Sequence, residues 1–223
     1  MLSSILFAAT ACLLVSVNAD VHSHFNRTAV PVELFVMSKC PDAVHCEAAF
    51  DNVFKQISVP VALDINFIAQ PAPFEPLKFS CKHGPSECLG NMQELCYRHV
   101  HGDDTWLSFI QCLNKDMVNI GTDKLGAACA EKQGKTYALV RDCIINGTAT
   151  ELLAKSVKRT ASLGVSTSCT VFINNKRRCV YDSAQWKDCP GGSSVDDFVK
   201  SIEDAYKSTD NGSLEPQFTM QHN

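Results

Sequence analysis

Twelve cysteines in 223 residues constrain this chain more than any other feature. In a reducing compartment that many thiols persist chiefly as metal ligands, and metal knuckles pair their cysteines as C-x-x-C. No two cysteines here are closer than six positions, so no metal site is expected. The alternative is a disulfide-stapled fold made in the secretory pathway. The first nineteen residues, MLSSILFAATACLLVSVNA, are uncharged and apolar, and end in the small residues Val17-Asn18-Ala19. Residues 1–19 therefore read as a signal peptide. Its removal takes Cys12 with it and leaves eleven cysteines. Eleven is odd, so at least one thiol is free, reactive or bonded to another chain. Sequons at Asn26, Asn146 and Asn211 agree with export and make these the expected glycosylation sites.

Charge and hydropathy narrow the partners. The net charge is −4 and there is no long basic run, which argues against nucleic acid. Beyond the leader no stretch approaches 18 apolar residues, so no membrane span is expected. With 45% apolar residues the chain can bury a substantial core.

Patterning divides the chain into a loose segment at 20–30, one domain at 31–207 and a polar, disordered tail at 208–223. Val32, Leu34 and Val36, interleaved with Phe35 and Met37, predict a strand buried on both faces. It stops at Ser38-Lys39-Cys40-Pro41-Asp42, where the proline suits the first turn of a helix. Phe50, Val53, Phe54 and Ile57 give that helix an apolar stripe. Pro60 ends it, and Val61, Leu63, Ile65 and Phe67 alternate as a second strand. Residues 77–145 hold six cysteines (81, 88, 96, 112, 129 and 143) and short helical patterns such as Trp106-x-x-Phe109-Ile110-x-x-Leu113. They read as a disulfide-stapled helical insertion. Thr148 and Glu151 have capping-box spacing ahead of another helix, which Gly164 ends. Thr170–Ile173 and Lys176–Tyr181 flank a tight turn at Asn174-Asn175, and Ser194 is placed to cap a last helix. The order β-α-β, helical insertion, α-β-β-α is that of an α/β thioredoxin-like core.

The segment Cys81-Lys82-His83-Gly84-Pro-Ser-Glu87-Cys88-Leu-Gly-Asn91-Met-Gln-Glu-Leu-Cys96 resembles the signature of the gamma-interferon-inducible lysosomal thiol reductase (GILT) family. Seven of its eight defined positions are kept, Lys82 standing where the family has glutamine. The resemblance implies a thioredoxin-like fold and reduction of protein disulfides in lysosome-like compartments or after secretion. It implies no organic cofactor, only an external thiol reductant. The implied partners are disulfide-containing or unfolded protein substrates.

Cys40 stands at the position of the family's attacking cysteine. A thiolate at a helix N-terminus is favoured by unpaired amides and the helix dipole, and so can attack a disulfide. Lys39 would add positive charge, unless it is merely solvated. The family's resolving cysteine three residues on is replaced by Ala43. The next cysteine, Cys46, is six residues from Cys40, about 9 Å of rise and roughly 240° of rotation on a regular helix. The pair can bond only through an irregular segment. Cys169 aligns with the cis-proline that faces the nucleophile in thioredoxin-like proteins. Either it is one more structural half-cystine, or it faces Cys40 and, like Cys46, is a candidate resolving thiol. His83 has a tuning and a helix-start reading, the second preferred; His99 and His101 read as surface residues and Asp42 as a first-turn acid. A Cys179–Cys189 bridge is the expected pairing at the C-terminal end. The readings are a secretory-pathway thiol-disulfide oxidoreductase, extracellular or lysosomal/vacuolar, or a non-catalytic binding protein that kept the stapled fold and lost redox cycling.

Overall fold

The structure, a computed structural model, describes residues 29–211. The expected signal peptide, the sequon at Asn26 and residues 212–223 lie outside that range. The elements begin with β1 (Val30–Val36), α1 (Pro41–Gln56), β2 (Val61–Phe67), β3 (Gln70–Pro71) and β4 (Phe79–Ser80). Then come α2 (Pro85–His101), α3 (Trp106–Leu113), a 3-10 segment (Asn114–Asn119), α4 (Asp123–Lys132) and α5 (Tyr137–Ile145). The chain returns through α6 (Thr148–Ser162), β5 (Thr170–Ile173), β6 (Lys176–Asp182), β7 (Gln185–Lys187) and α7 (Val195–Asn211).

The main sheet has the order β2-β1-β5-β6-β7. β1 is central because its residues can be dry on both faces: Val32, Leu34, Phe35 and Val36 are wholly buried. Leu34 lies opposite Ile65 of the parallel β2 and Val171 of the antiparallel β5. The β5–β6 hairpin turns on Asn174 and Asn175, both left-handed (φ 50° and 61°), a conformation asparagine tolerates well. α1 and α7 pack on each other through Phe50 and Phe198, whose rings are 5.0 Å apart. α6 covers β2: its Ser156 accepts the Phe67 N–H (2.7 Å) and its Thr160 donates to the Phe67 carbonyl (2.9 Å). Buried Glu33 on β1 takes a two-pronged hydrogen bond from Arg159 of α6 (2.9 and 2.6 Å).

Two boundaries differ from expectation. Thr148 does not cap α6; Gly147 does, at φ 92°, and Asn146 accepts the Thr148 N–H. With α5 running to Ile145, only two residues remain for the turn, and the left-handed one falls to glycine. The last helix passes Lys207 and ends at Asn211, so the first residues assigned to a disordered tail are helical. Once a helix is nucleated on an apolar face, a further turn costs little. Ser194 caps that helix as expected, accepting the Asp197 N–H while the Asp197 carboxylate accepts the Ser194 N–H.

The insertion is a helical bracket held by covalent bonds. Cys81–Cys88 closes the entry to α2, Cys96–Cys143 joins α2 to α5, and Cys112–Cys129 joins α3 to α4. Trp106 is buried and donates its indole N–H to the Glu94 carbonyl (2.8 Å). The remaining bridges are Cys179–Cys189, the pairing expected from the sequence, and Cys46–Cys169. Among the described cysteines only Cys40 is unbridged.

Candidate active site

Cys40 is the N-cap of α1, its backbone extended (φ −90°, ψ 125°) and Pro41 in the first turn. Its N–H donates to the Met37 carbonyl (2.9 Å) and its carbonyl accepts the Val44 N–H (3.2 Å), so loop and helix are joined through this one residue. The residue is 8% exposed, and its side chain makes no capping hydrogen bond. One turn on, Ala43 is buried and presents a methyl where a C-x-x-C protein presents a second thiol.

The GILT-like signature turns out to hold the loop that carries Cys40. Asn91 accepts the Ser38 N–H through Oδ1 (3.1 Å), and the Ser38 hydroxyl donates to the Glu87 carbonyl (3.1 Å). Gly90 lets α2 approach this closely: a Cβ there would lie 2.6 Å from Ser38 Oγ and 2.4 Å from Ile120 Cγ2. Gly84 caps α2 at φ 87°, ψ −177°, backbone that essentially only glycine adopts. His83 makes the helix-start hydrogen bonds, its N–H and ring both meeting the Glu87 carboxylate. Cys81, Cys88 and Cys96 are all bridged.

Two further anchors close the surround. Met37 N–H donates to Ser168 Oγ (3.1 Å), tying the loop that carries Cys40 to the residue before Cys169, where the peptide bond is cis. The Asp42 carboxylate accepts the Ser183 and Ala184 N–H groups (3.2 and 3.1 Å), fixing the start of α1 against the β6–β7 turn. His45 stacks on Tyr181 with ring centroids 4.1 Å apart.

The sulfur partners differ from one expectation. Cys169 bonds to Cys46 rather than to Cys40, their Cα atoms 6.3 Å apart and both residues wholly buried. α1 is regular through Cys46, which lies on its buried face one turn past Ala43, directed at the sheet and turned from Cys40. Neither candidate resolving cysteine is thus a thiol in this state. Lys39 does not serve the thiol either: its ammonium donates to the Val118 carbonyl (2.9 Å). His101 contacts the Thr136 carbonyl (2.9 Å), His99 is exposed, and no metal-ligand cluster occurs among the described residues. Asn146 is exposed in the α5–α6 turn.

The sequence reading missed two buried acids behind the site. Burial pushes the Glu47 carboxyl up to about 7, although Asn114 donates to it (2.7 Å). Glu94 is raised well above the usual range, first by burial and then by the negative charges of Glu47 and Glu87. One oxygen of Glu47 and both of Glu94 have no hydrogen-bond partner. The signal was present, since Glu47 falls on the stripe of Ala43, Phe50 and Val53.

A family model described as gamma interferon inducible lysosomal thiol reductase (GILT) matches residues 31–133. GILT-like protein 1 of Drosophila melanogaster is 25% identical over 175 residues, spanning 70% of this chain and 68% of that protein. Among solved structures, BdbD from Bacillus subtilis superposes with TM-score 0.56 at 15% identity, covering 80% of this chain and 88% of that one. Reduced DsbA1 from Neisseria meningitidis gives 0.53 at 14%, covering 81% and 87%. These likenesses establish the α/β thioredoxin-like core with its disulfide-rich helical insertion.

Proposed function

We propose that the chain, whose residues 31–133 match the GILT family model, is a thiol-disulfide oxidoreductase of that kind and exchanges disulfides of protein substrates through Cys40. One observation carries the reading. Ten of the eleven cysteines in the described residues are consumed in five bridges, and the one left over caps the helix where the family keeps its nucleophile.

The Cys40 thiolate attacks one sulfur of a substrate disulfide, forming a mixed disulfide; the other substrate sulfur leaves as a thiolate and takes a proton. With Ala43 in the next turn, no adjacent thiol completes the cycle. An external thiol attacks the Cys40 sulfur and frees the second substrate thiol, and another then releases Cys40. Two external thiols are thereby oxidised for each disulfide reduced, and no organic cofactor takes part. Cys46 and Cys169 join this cycle only after their own bridge is reduced. The leader at 1–19 and the family support export to the cell exterior or to a lysosome-like compartment, with glycosylation at Asn26, Asn146 and Asn211.

A second reading, a binding protein without turnover, is favoured by Ala43 and by the shielding of Cys40. Alkylation of the native full chain followed by mass mapping separates the two. Label on Cys40, and loss of insulin reduction in Cys40→Ser, support exchange; reduction that survives Cys40→Ser refutes the nucleophile, and an unlabelled Cys40 favours the binder.

A further inference from the structure

We propose that the groove beside Cys40 is a subsite for the substrate polypeptide, and that it selects an extended segment with apolar and acidic side chains flanking the reacting cysteine; this rests on the disulfide-exchange reading above. The groove has a volume of about 680 Å³; Cys40 does not line it, and it adjoins the site through two neighbouring segments. Met37, whose carbonyl receives the Cys40 N–H, lines one end, and Val165 and Ser166 lead from its far wall into the Ser168–Cys169 loop. A chain whose cysteine meets Cys40 must lay its neighbouring residues on surfaces of this kind.

The lining states the chemistry of the occupant. Ile68, Phe79 and Val157 form an apolar floor between the end of β2, β4 and α6. Lys78, Lys82 and Lys158 stand around it, and no acidic residue lines the groove, although the chain as a whole is negative. Lys78 donates to the Pro73 carbonyl (3.1 Å), Lys82 is near enough to Asp182 to help, after Lys187, to hold that carboxyl below its usual range, and Lys158 has no ion-pair partner among the described residues. Lys82 replaces the glutamine of the family signature, so this chain has added a charge at the rim. Apolar contact with a cationic rim fits an acidic, partly hydrophobic strand and repels a basic one.

The test uses the full chain and two octapeptides, each with one cysteine activated as its 2-thiopyridyl disulfide. They differ only in flanks of Leu and Glu or of Leu and Lys. Cys40 attack forms the Cys40–peptide bond and breaks the bond to the pyridine sulfur, which leaves as pyridinethione and reports the rate. Each rate is divided by that protein's own rate with uncharged 2-hydroxyethyl 2-pyridyl disulfide. The acidic peptide should react about tenfold faster at low salt, with the preference shrinking as salt is added. In Lys82→Glu/Lys158→Glu the order should reverse. In parallel, serine-for-cysteine peptides are titrated by fluorescence anisotropy. A ratio that is equal in both proteins overturns the subsite and leaves Cys40 exchange standing. Charge-selective binding that the double variant reverses, with Cys40 inert to every disulfide, upholds the subsite and overturns the exchange reading. Failure of both measurements overturns both.

Discussion

On the proposed exchange, Ala43 decides the fate of a disulfide caught by Cys40. From the N-cap to the third helical residue the Cα atoms lie about 5 Å apart, within the span of a disulfide. Ala43→Cys should therefore create an internal resolving thiol and raise insulin reduction with dithiothreitol by about tenfold or more. The same substitution in a Cys40→Ser background should give no gain. Asn91 acts from further back. Removing its carbonyl leaves the buried Ser38 N–H unpaired, a loss of about 1–3 kcal/mol. Asn91→Ala should lower the urea midpoint accordingly and speed alkylation of Cys40, because the loop it anchors is the one that carries the sulfur.

At the scale of elements, Glu47 of α1 and Glu94 of α2 are buried carboxyls whose neutral form is favoured by burial. Glu47 has a folded-state value of about 7, above its ordinary 4.5, so the folded protein holds a proton the unfolded chain gives up. Its contribution to stability is complete below about pH 4.5 and is lost as pH rises to about 7, on the order of 3 kcal/mol. Glu94, raised in the same direction by burial and by its acidic neighbours Glu47 and Glu87, steepens the decline. Chemical denaturation of the wild type should show falling stability from pH 5 to pH 8, and Glu47→Gln should flatten that slope. Elements of this kind were legible where apolar period and turn chemistry agreed, as in β1, the Asn174-Asn175 turn and Trp106–Leu113. The Cys46–Cys169 partnership was not, because six residues of helix say which way Cys46 turns from Cys40 but not which distant loop it meets. Nor was the job of the signature: the spacing of Gly90 and Asn91 gives no hint that they grip Ser38.

For the whole molecule, the bridge from Cys46 to Cys169 spans 123 positions and ties the helix that Cys40 begins to the return half of the sheet. Closing a loop of that length removes about 5 kcal/mol of unfolded-state entropy in the chain-entropy model. Cys46→Ser/Cys169→Ser should lose about 2–5 kcal/mol by denaturant titration while Cys40 stays available to alkylation. The insertion's three bridges confine their effect to shorter loops, so their loss should loosen the bracket before it unfolds the sheet.

That long crosslink also fixes the geometry of the aperture. The two sides of the site, the head of α1 and the loop at Ser168–Cys169, are joined twice: Met37 donates to Ser168 and Cys46 is bonded to Cys169. On the exchange reading, a substrate chain meets two walls that are pinned to each other, and the adjustment falls mainly on the substrate.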